Sequence, residues 1–149
     1  MDILLPKVAT NTLRGSKIPL YLFVVIAAIG LGRSLIHIFA PDGGAGSIAG
    51  MDLSVSGADE VVFAFALWGS AQLIYAVLQW IVILRYRSLV PLMWAVQLLE
   101  TCGRMLAGSL KPVVFSHTPP GAAQNYIYLV LSIAMIALSV WTARKSQSA

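Results

Sequence analysis

The chain has 149 residues, of which 58% are hydrophobic and only 11% charged, with a formal net charge of +4. Ordinary globular domains carry about a quarter charged residues, and a soluble chain this apolar would expose contiguous patches well beyond the roughly few hundred Å² that folded monomers tolerate. This composition excludes disorder, collagen, a coiled coil and a secreted disulfide scaffold, and it points to an all-α integral membrane protein.

A membrane-crossing helix needs about 20 mostly apolar residues, because the hydrocarbon core is roughly 30 Å thick and each residue rises about 1.5 Å. Four segments are expected to meet this, over about 18–40, 61–84, 89–110 and 125–142. The segment 1–17 and the tail 143–149 flank this single four-helix domain. Between the second and third helices lies only Arg85-Tyr86-Arg87-Ser88, which makes those two antiparallel neighbours in a hairpin.

Lysine and arginine favour the cytoplasmic side in short loops. Lys7, Arg14 and Lys17 precede the first helix, Arg85 and Arg87 fill the turn, and Arg144 and Lys145 follow the fourth. The opposite side has Asp42, Asp52, Asp59 and Glu60, and a second loop from Lys111 to Gln124 with one lysine. The expected architecture is therefore an up-down bundle with both termini cytoplasmic. Its positive charge is a topology signal with some attraction to anionic lipid, and no basic patch interleaved with aromatics argues for nucleic acid. Ser47-Ile48-Ala49 downstream of the first apolar run could mark a signal-peptide cleavage site, but that run exceeds a signal core and the small pair lies well past its end. The first helix is expected to be retained.

Pro41-Asp42-Gly43-Gly44-Ala45-Gly46-Ser47 is turn chemistry, read as a flexible outer linker or, alternatively, a lid over an outward pocket. His117-Thr118-Pro119-Pro120-Gly121 is expected to stop any helix and form an exposed turn. The single cysteine, Cys102, cannot cycle to an intramolecular disulfide. No metal, phosphate-loop or nucleophile motif is present, so no catalytic residue, metal ligand or cofactor is expected, and the chain reads more readily as a non-enzyme. No internal repeat stands out.

Polar residues at membrane depth carry most of the functional signal. Arg33 and His37 are four apart on the first helix; Trp68, Gln72, Tyr75 and Gln79 form a stripe on the second; Gln97, Glu100 and Arg104 form one on the third. Residues three and four apart share a helical face, and membrane charges normally face a bundle interior or a watery cavity. The fourth helix offers only Tyr128, Ser132 and Ser139 and is expected to be least committed. By rise along the helices, Gln72 and Glu100 fall near the midplane, with Arg33 and Arg104 about 6 Å outward and His37 further out. The expected site is an outward-facing pocket floored by Gln72 and Glu100, walled by Arg33, Arg104 and His37, with Gln97 in the same network. The alternative is purely structural: an intrahelical Glu100–Arg104 ion pair, with Arg33 snorkelling outward or pairing with Asp59 or Glu60. Two arginines against one glutamate leave one excess positive charge, which an outer-loop acid, a bound anion, a lipid headgroup or a quinone-like carbonyl would satisfy. Gly30, Gly32, Gly69, Ser70, Gly103, Ala107 and Gly108 are expected to let helices approach closely. Trp80, Tyr86, Trp141 and Tyr21 read as an aromatic belt at the cytoplasmic boundary.

Leu31-Gly32-Arg33-Ser34, the acidic pair Asp59-Glu60, Trp68-Gly69, and Gly103-Arg104 followed by Lys111-Pro112 together resemble the DoxX-like superfamily of small bacterial four-helix membrane proteins. That resemblance implies a multi-pass protein of the bacterial inner membrane, associated as a subunit with quinone-linked oxidation; having no redox centre of its own, this chain would carry over only the partner role, with Arg33 and Arg104 the matching positions. Expected functions are thus an accessory subunit or a small binder of lipid or quinone, with membrane lipid, quinone or other membrane-protein subunits as partners. A proton-coupled transporter with Glu100 as its titrating group is the alternative, and it requires a homo-oligomer because four helices offer no second half to rock against.

Overall fold

A computed structural model describes residues 3–146. The described residues form four α-helices and no strand: α1 (Ile18–Phe39), α2 (Ala58–Arg85), α3 (Val90–Leu110) and α4 (Pro120–Lys145). Local chemistry accounts for the boundaries. Pro19 and Pro91 lie in the first turns of α1 and α3, where a missing N–H costs nothing. Gly57, at φ +92°, turns the chain into α2, whose first turn carries Asp59 and Glu60 against the positive end of the helix dipole. A single 3-10 turn, Arg87–Leu89, joins α2 to α3, and Arg87 Nε donates to the free carbonyl of Ile83 at 3.0 Å.

Three boundaries shift by three residues or more: α2 begins at Ala58 rather than about 61, and both ends of α4 move. The helix-stopping prolines instead open α4, with Pro119 as its N-cap and Pro120 inside its first turn; a proline pair breaks a helix from within and initiates one from its start. At the other end α4 continues to Lys145, so the expected tail shrinks, and residues 147–149, like 1–2, lie outside the described residues. Three helices, α1, α2 and α4, are long and apolar enough to cross a membrane, which identifies a membrane protein. α3 is not among them because Gln97, Glu100 and Arg104 dilute its apolar run.

The short α2–α3 connection does not make these helices the main packing partners, as the hairpin reading implied. α1 packs along α2 and α3 along α4, and contact between the two pairs is sparse. Gly69 explains the first pairing: a Cβ there would lie 2.7 Å from His37 Cβ and 3.1 Å from the Ser34 carbonyl. Gly32, Gly103 and Gly108 have nothing within 4 Å of an added Cβ and do not mediate close approach within the chain.

The pairs meet in an apolar core that includes Leu20, Phe23 and Ile26 of α1, Val82 and Ile83 of α2, Met93 and Trp94 of α3, and Met135 of α4. Phe23 and Trp94 have ring centroids 5.5 Å apart, and Trp94 Nε1 donates to the Pro19 carbonyl at 3.0 Å. The N-terminal segment closes this end. Thr10 exchanges hydrogen bonds with Ser88 (2.9 and 3.1 Å), and Ser16 N donates to Thr142 Oγ1 at 3.0 Å.

At the opposite end the Pro41–Ser47 stretch is a folded cap. Gly43, Gly44 and Ala45 are buried, Asp42 accepts from the amides of Gly44 (2.8 Å) and Ser47 (2.6 Å), and His37 Nδ1 bonds the Gly43 carbonyl at 2.6 Å. The second loop is fastened to it: Ser116 N donates to the Gly50 carbonyl at 2.9 Å and His117 Nε2 to that of Ile48 at 3.2 Å. His117 is thus a loop fastener.

Candidate intramembrane polar site

Between the helix pairs, on the loop side of the apolar core, lies a cavity of about 40 Å³, room for about three water molecules. All four helices reach it. α1 contributes Ile26, Gly30 and Arg33; α2 Gln72, Tyr75 and Gln79; α3 Gln97, Glu100 and Arg104; α4 Gln124 and Tyr128. Five of the six expected site residues, Arg33, Gln72, Gln97, Glu100 and Arg104, therefore share one space.

The sixth does not line it. His37 stands behind Arg33, stacked on Trp68 (centroids 4.9 Å) and edge-on to Phe65 (5.4 Å). Arg33 Nε donates to His37 Nε2 at 3.2 Å, so Nε2 holds a lone pair and Nδ1 carries the proton donated to Gly43. These two bonds require the neutral imidazole. His37 is a bracket between the cap and Arg33, not a wall.

Arg33 has no carboxylate partner among the described residues, so the pairing with Asp59 or Glu60 allowed by the alternative, structural reading is absent among them. Its Nη1 donates to Gln124 Oε1 at 2.8 Å, and its guanidinium carbon sits 4.9 Å from the centroid of the Trp68 ring, a cation–π arrangement. Gln124 and Tyr128 overturn the reading of the fourth helix as least committed. Gln124 escaped notice because the prolines before it were read as a helix stop; with α4 beginning at Pro120, Gln124 and Tyr128 fall four apart on one face.

On α3 the intrahelical ion pair is present, Arg104 Nη1 to Glu100 Oε1 at 3.2 Å, with side chains 19% and 31% exposed. Gln97 Nε2 donates to Glu100 Oε2 at 3.0 Å, and Gln79 Nε2 reaches Gln97 Oε1 at 3.5 Å across the α2–α3 gap. The floor therefore lies deeper than expected, at Ile26, Gln79 and Gln97.

Several polar atoms here are buried with no hydrogen-bond partner among the described residues. Gln72 Oε1, Arg104 Nε and the Tyr128 hydroxyl are among them, and Tyr128 is only 8% exposed. Each unsatisfied group costs about 1–3 kcal/mol, and an uncompensated arginine near the bilayer centre costs about 2.5–3.5 kcal/mol on insertion scales. Water can meet the hydrogen bonds. It cannot supply the missing negative charge. Chemically, the site can hold an anion or a strong acceptor and, through Glu100, a proton.

No family model, curated protein or solved structure matches this chain.

Proposed function

We propose that the chain is a non-catalytic, multi-pass membrane protein, an up-down four-helix bundle with both termini cytoplasmic, that holds the polar end of a small lipid-soluble guest in the cavity between its helix pairs. Membership of the DoxX-like superfamily, residence in the bacterial inner membrane and service as an accessory subunit belong to the same proposal, resting on the short motifs around Arg33 and Arg104. The orientation is supported by Lys7, Arg14, Lys17, Arg85, Arg87, Arg144 and Lys145, which fall at or beyond one set of helix ends, with Asp42, Asp52, Asp59 and Glu60 at the other, as the charge bias of cytoplasmic loops requires. For α3, 21 residues span about 31 Å, and Gln97, Glu100 and Arg104 of its polar face line the cavity between the helix pairs.

The observation that carries the binding role is the convergence of Arg33, Arg104 and the unpartnered Gln72 and Tyr128 atoms on one space. Native mass spectrometry after purification in mild detergent tests it. A small molecule should accompany the wild type and be absent from a folded Arg33→Leu variant. Co-purifying subunits would favour the accessory role, and a protein that runs alone and empty would remove both. A reporter fused after Ala149 should lie in the cytoplasm.

A transport reading is favoured by one feature, the loose seam with Glu100 inside it, which provides two packed halves within one chain. Proton flux in proteoliposomes that falls at least tenfold with Glu100→Gln would support it; flux unchanged by that substitution would remove it.

A further inference from the structure

The pocket's charge, its size and the side that is hydrogen-bonded only at its floor together specify a guest and a route. Resting on the binding role above, we infer that the cavity takes the single ionised acid group of a lipid-dissolved acyl chain, admitted sideways between α2 and α3.

Charge sets the first condition. Arg33 and Arg104 face the cavity with Glu100 as the only carboxylate lining it among the described residues, and His37 is neutral by its hydrogen bonds. One positive charge is left over, so one negative charge completes the site. The unpartnered groups agree, since Arg104 Nε and the Tyr128 hydroxyl are free to donate and a carboxylate only accepts. Gln72 Oε1, also free, is left to accept from a water bound beside the acid group.

Size sets the second. At about 40 Å³ the cavity matches a three-atom acid group with a water, well below the roughly 150 Å³ of a dry cavity that holds benzene. The head of the guest is therefore small and its bulk lies outside.

The bridges between helices set the route. α1 and α2 are packed together, as are α3 and α4, and the Arg33–Gln124 bond ties α1 to α4 at the cavity's loop-side end. The first turn of α4 presses on the same guanidinium, where a Cβ on Gly121 would lie 3.4 Å from Arg33 Nη2. Between α2 and α3, by contrast, among the described residues the only side-chain hydrogen bond is Gln79–Gln97 at the cavity floor. Above it no side-chain hydrogen bond joins the two helices among the described residues, and the Glu100 side chain of α3 is 31% exposed. This side faces lipid in a bundle that crosses the membrane, so an acyl chain can remain in the bilayer while its head reaches the arginines.

Delipidated protein in nanodiscs, titrated separately with oleate, oleyl alcohol and acetate and read by native mass spectrometry, tests the inference. Oleate should bind one to one, at least tenfold more tightly than oleyl alcohol, and acetate at a hundredfold excess should not displace it. Arg33→Leu should weaken oleate at least tenfold and Arg33→Lys by only a few-fold, with thermal melting confirming that each variant is folded. Oleyl alcohol binding as well as oleate would overturn the acid requirement. Acetate binding as tightly would overturn the lateral route while leaving the pocket a binding site, and a wild type that takes none of the three yet arrives with another guest would overturn the acyl class alone.

Discussion

Arg33 on α1 and Gln124 on α4, ninety-one positions apart, are joined by a 2.8 Å hydrogen bond that gives a membrane-embedded guanidinium a neutral partner. A neutral partner satisfies geometry and leaves charge unsatisfied, which is the condition the proposed anionic guest would meet. Gln124→Glu should therefore separate structure from binding. The new carboxylate would neutralise the pocket in place, so the protein should melt at or above the wild-type temperature and lose its guest. Gln124→Ala should lower stability by about 1–2 kcal/mol, since a hydrogen bond to a charged group is lost. Differential scanning fluorimetry beside native mass spectrometry reads both.

The Glu100–Arg104 pair yields a different pattern. Arg104→Leu alone strands a partly buried carboxylate and should cost about 1–3 kcal/mol. Adding Glu100→Gln removes the second charge, and the double variant should recover most of that loss, because apolar or neutral replacement of a buried pair is often tolerated. If the double variant is instead less stable than Arg104→Leu, the two side chains do not form the unit that their 3.2 Å separation indicates.

Gly69 and Gly103 make a matched control for helix packing. Gly69→Ala pushes a methyl into His37 and the Ser34 carbonyl, an overpacking worth about 1–3 kcal/mol, and it should also disturb the Arg33 bracket. Gly103→Ala meets nothing and should be neutral or stabilising by up to about 1 kcal/mol through helix propensity. Equal melting temperatures for the two variants would contradict the close α1–α2 contact.

The cap over α1 should be acid-sensitive. The Ser47 amide, then the Gly44 amide and the Ser47 hydroxyl, hold the Asp42 carboxyl down at about 2 from an ordinary value of 3.8. A lowered folded value means the contribution to stability is fully present above the unfolded value and is lost as pH falls through the folded one. Relative to the intrinsic exchange rate at each pH, protection of the Gly44 and Ser47 amides should thus be high above about pH 4 and fall toward pH 2, and Asp42→Asn should remove most of that dependence.

Much of this arrangement was legible in the chain itself, and the reasons for success and failure are physical. Arg33, Gln72, Gln97, Glu100 and Arg104 could be grouped because charges at membrane depth must face inward and helical spacing assigns the face. His37 could not be assigned correctly because its partner is the carbonyl of Gly43, and backbone partners leave no trace in side-chain patterns. Gln124 was hidden by a proline pair whose effect depends on which side of it the helix lies. The short α2–α3 turn was an unreliable guide to packing, since chain connectivity brings helix ends together, whereas a small residue such as Gly69 decides which faces meet.

The polarity of α3 bears on how the protein reaches its membrane. Of the four helices it alone is not apolar enough by composition to stand as a candidate membrane span, yet it packs chiefly against α4, which follows it in the chain. During synthesis α1 and α2 can leave the translocation channel as each emerges. α3 gains its shelter only when α4 arrives, with Gln124 and Tyr128 facing the shared cavity. In the proposed four-span topology the second half of the chain should therefore insert as a pair, and a nascent chain ending at Leu110 should present Glu100 and Arg104 to the channel with no companion helix to cover them, a natural target for membrane proteolysis.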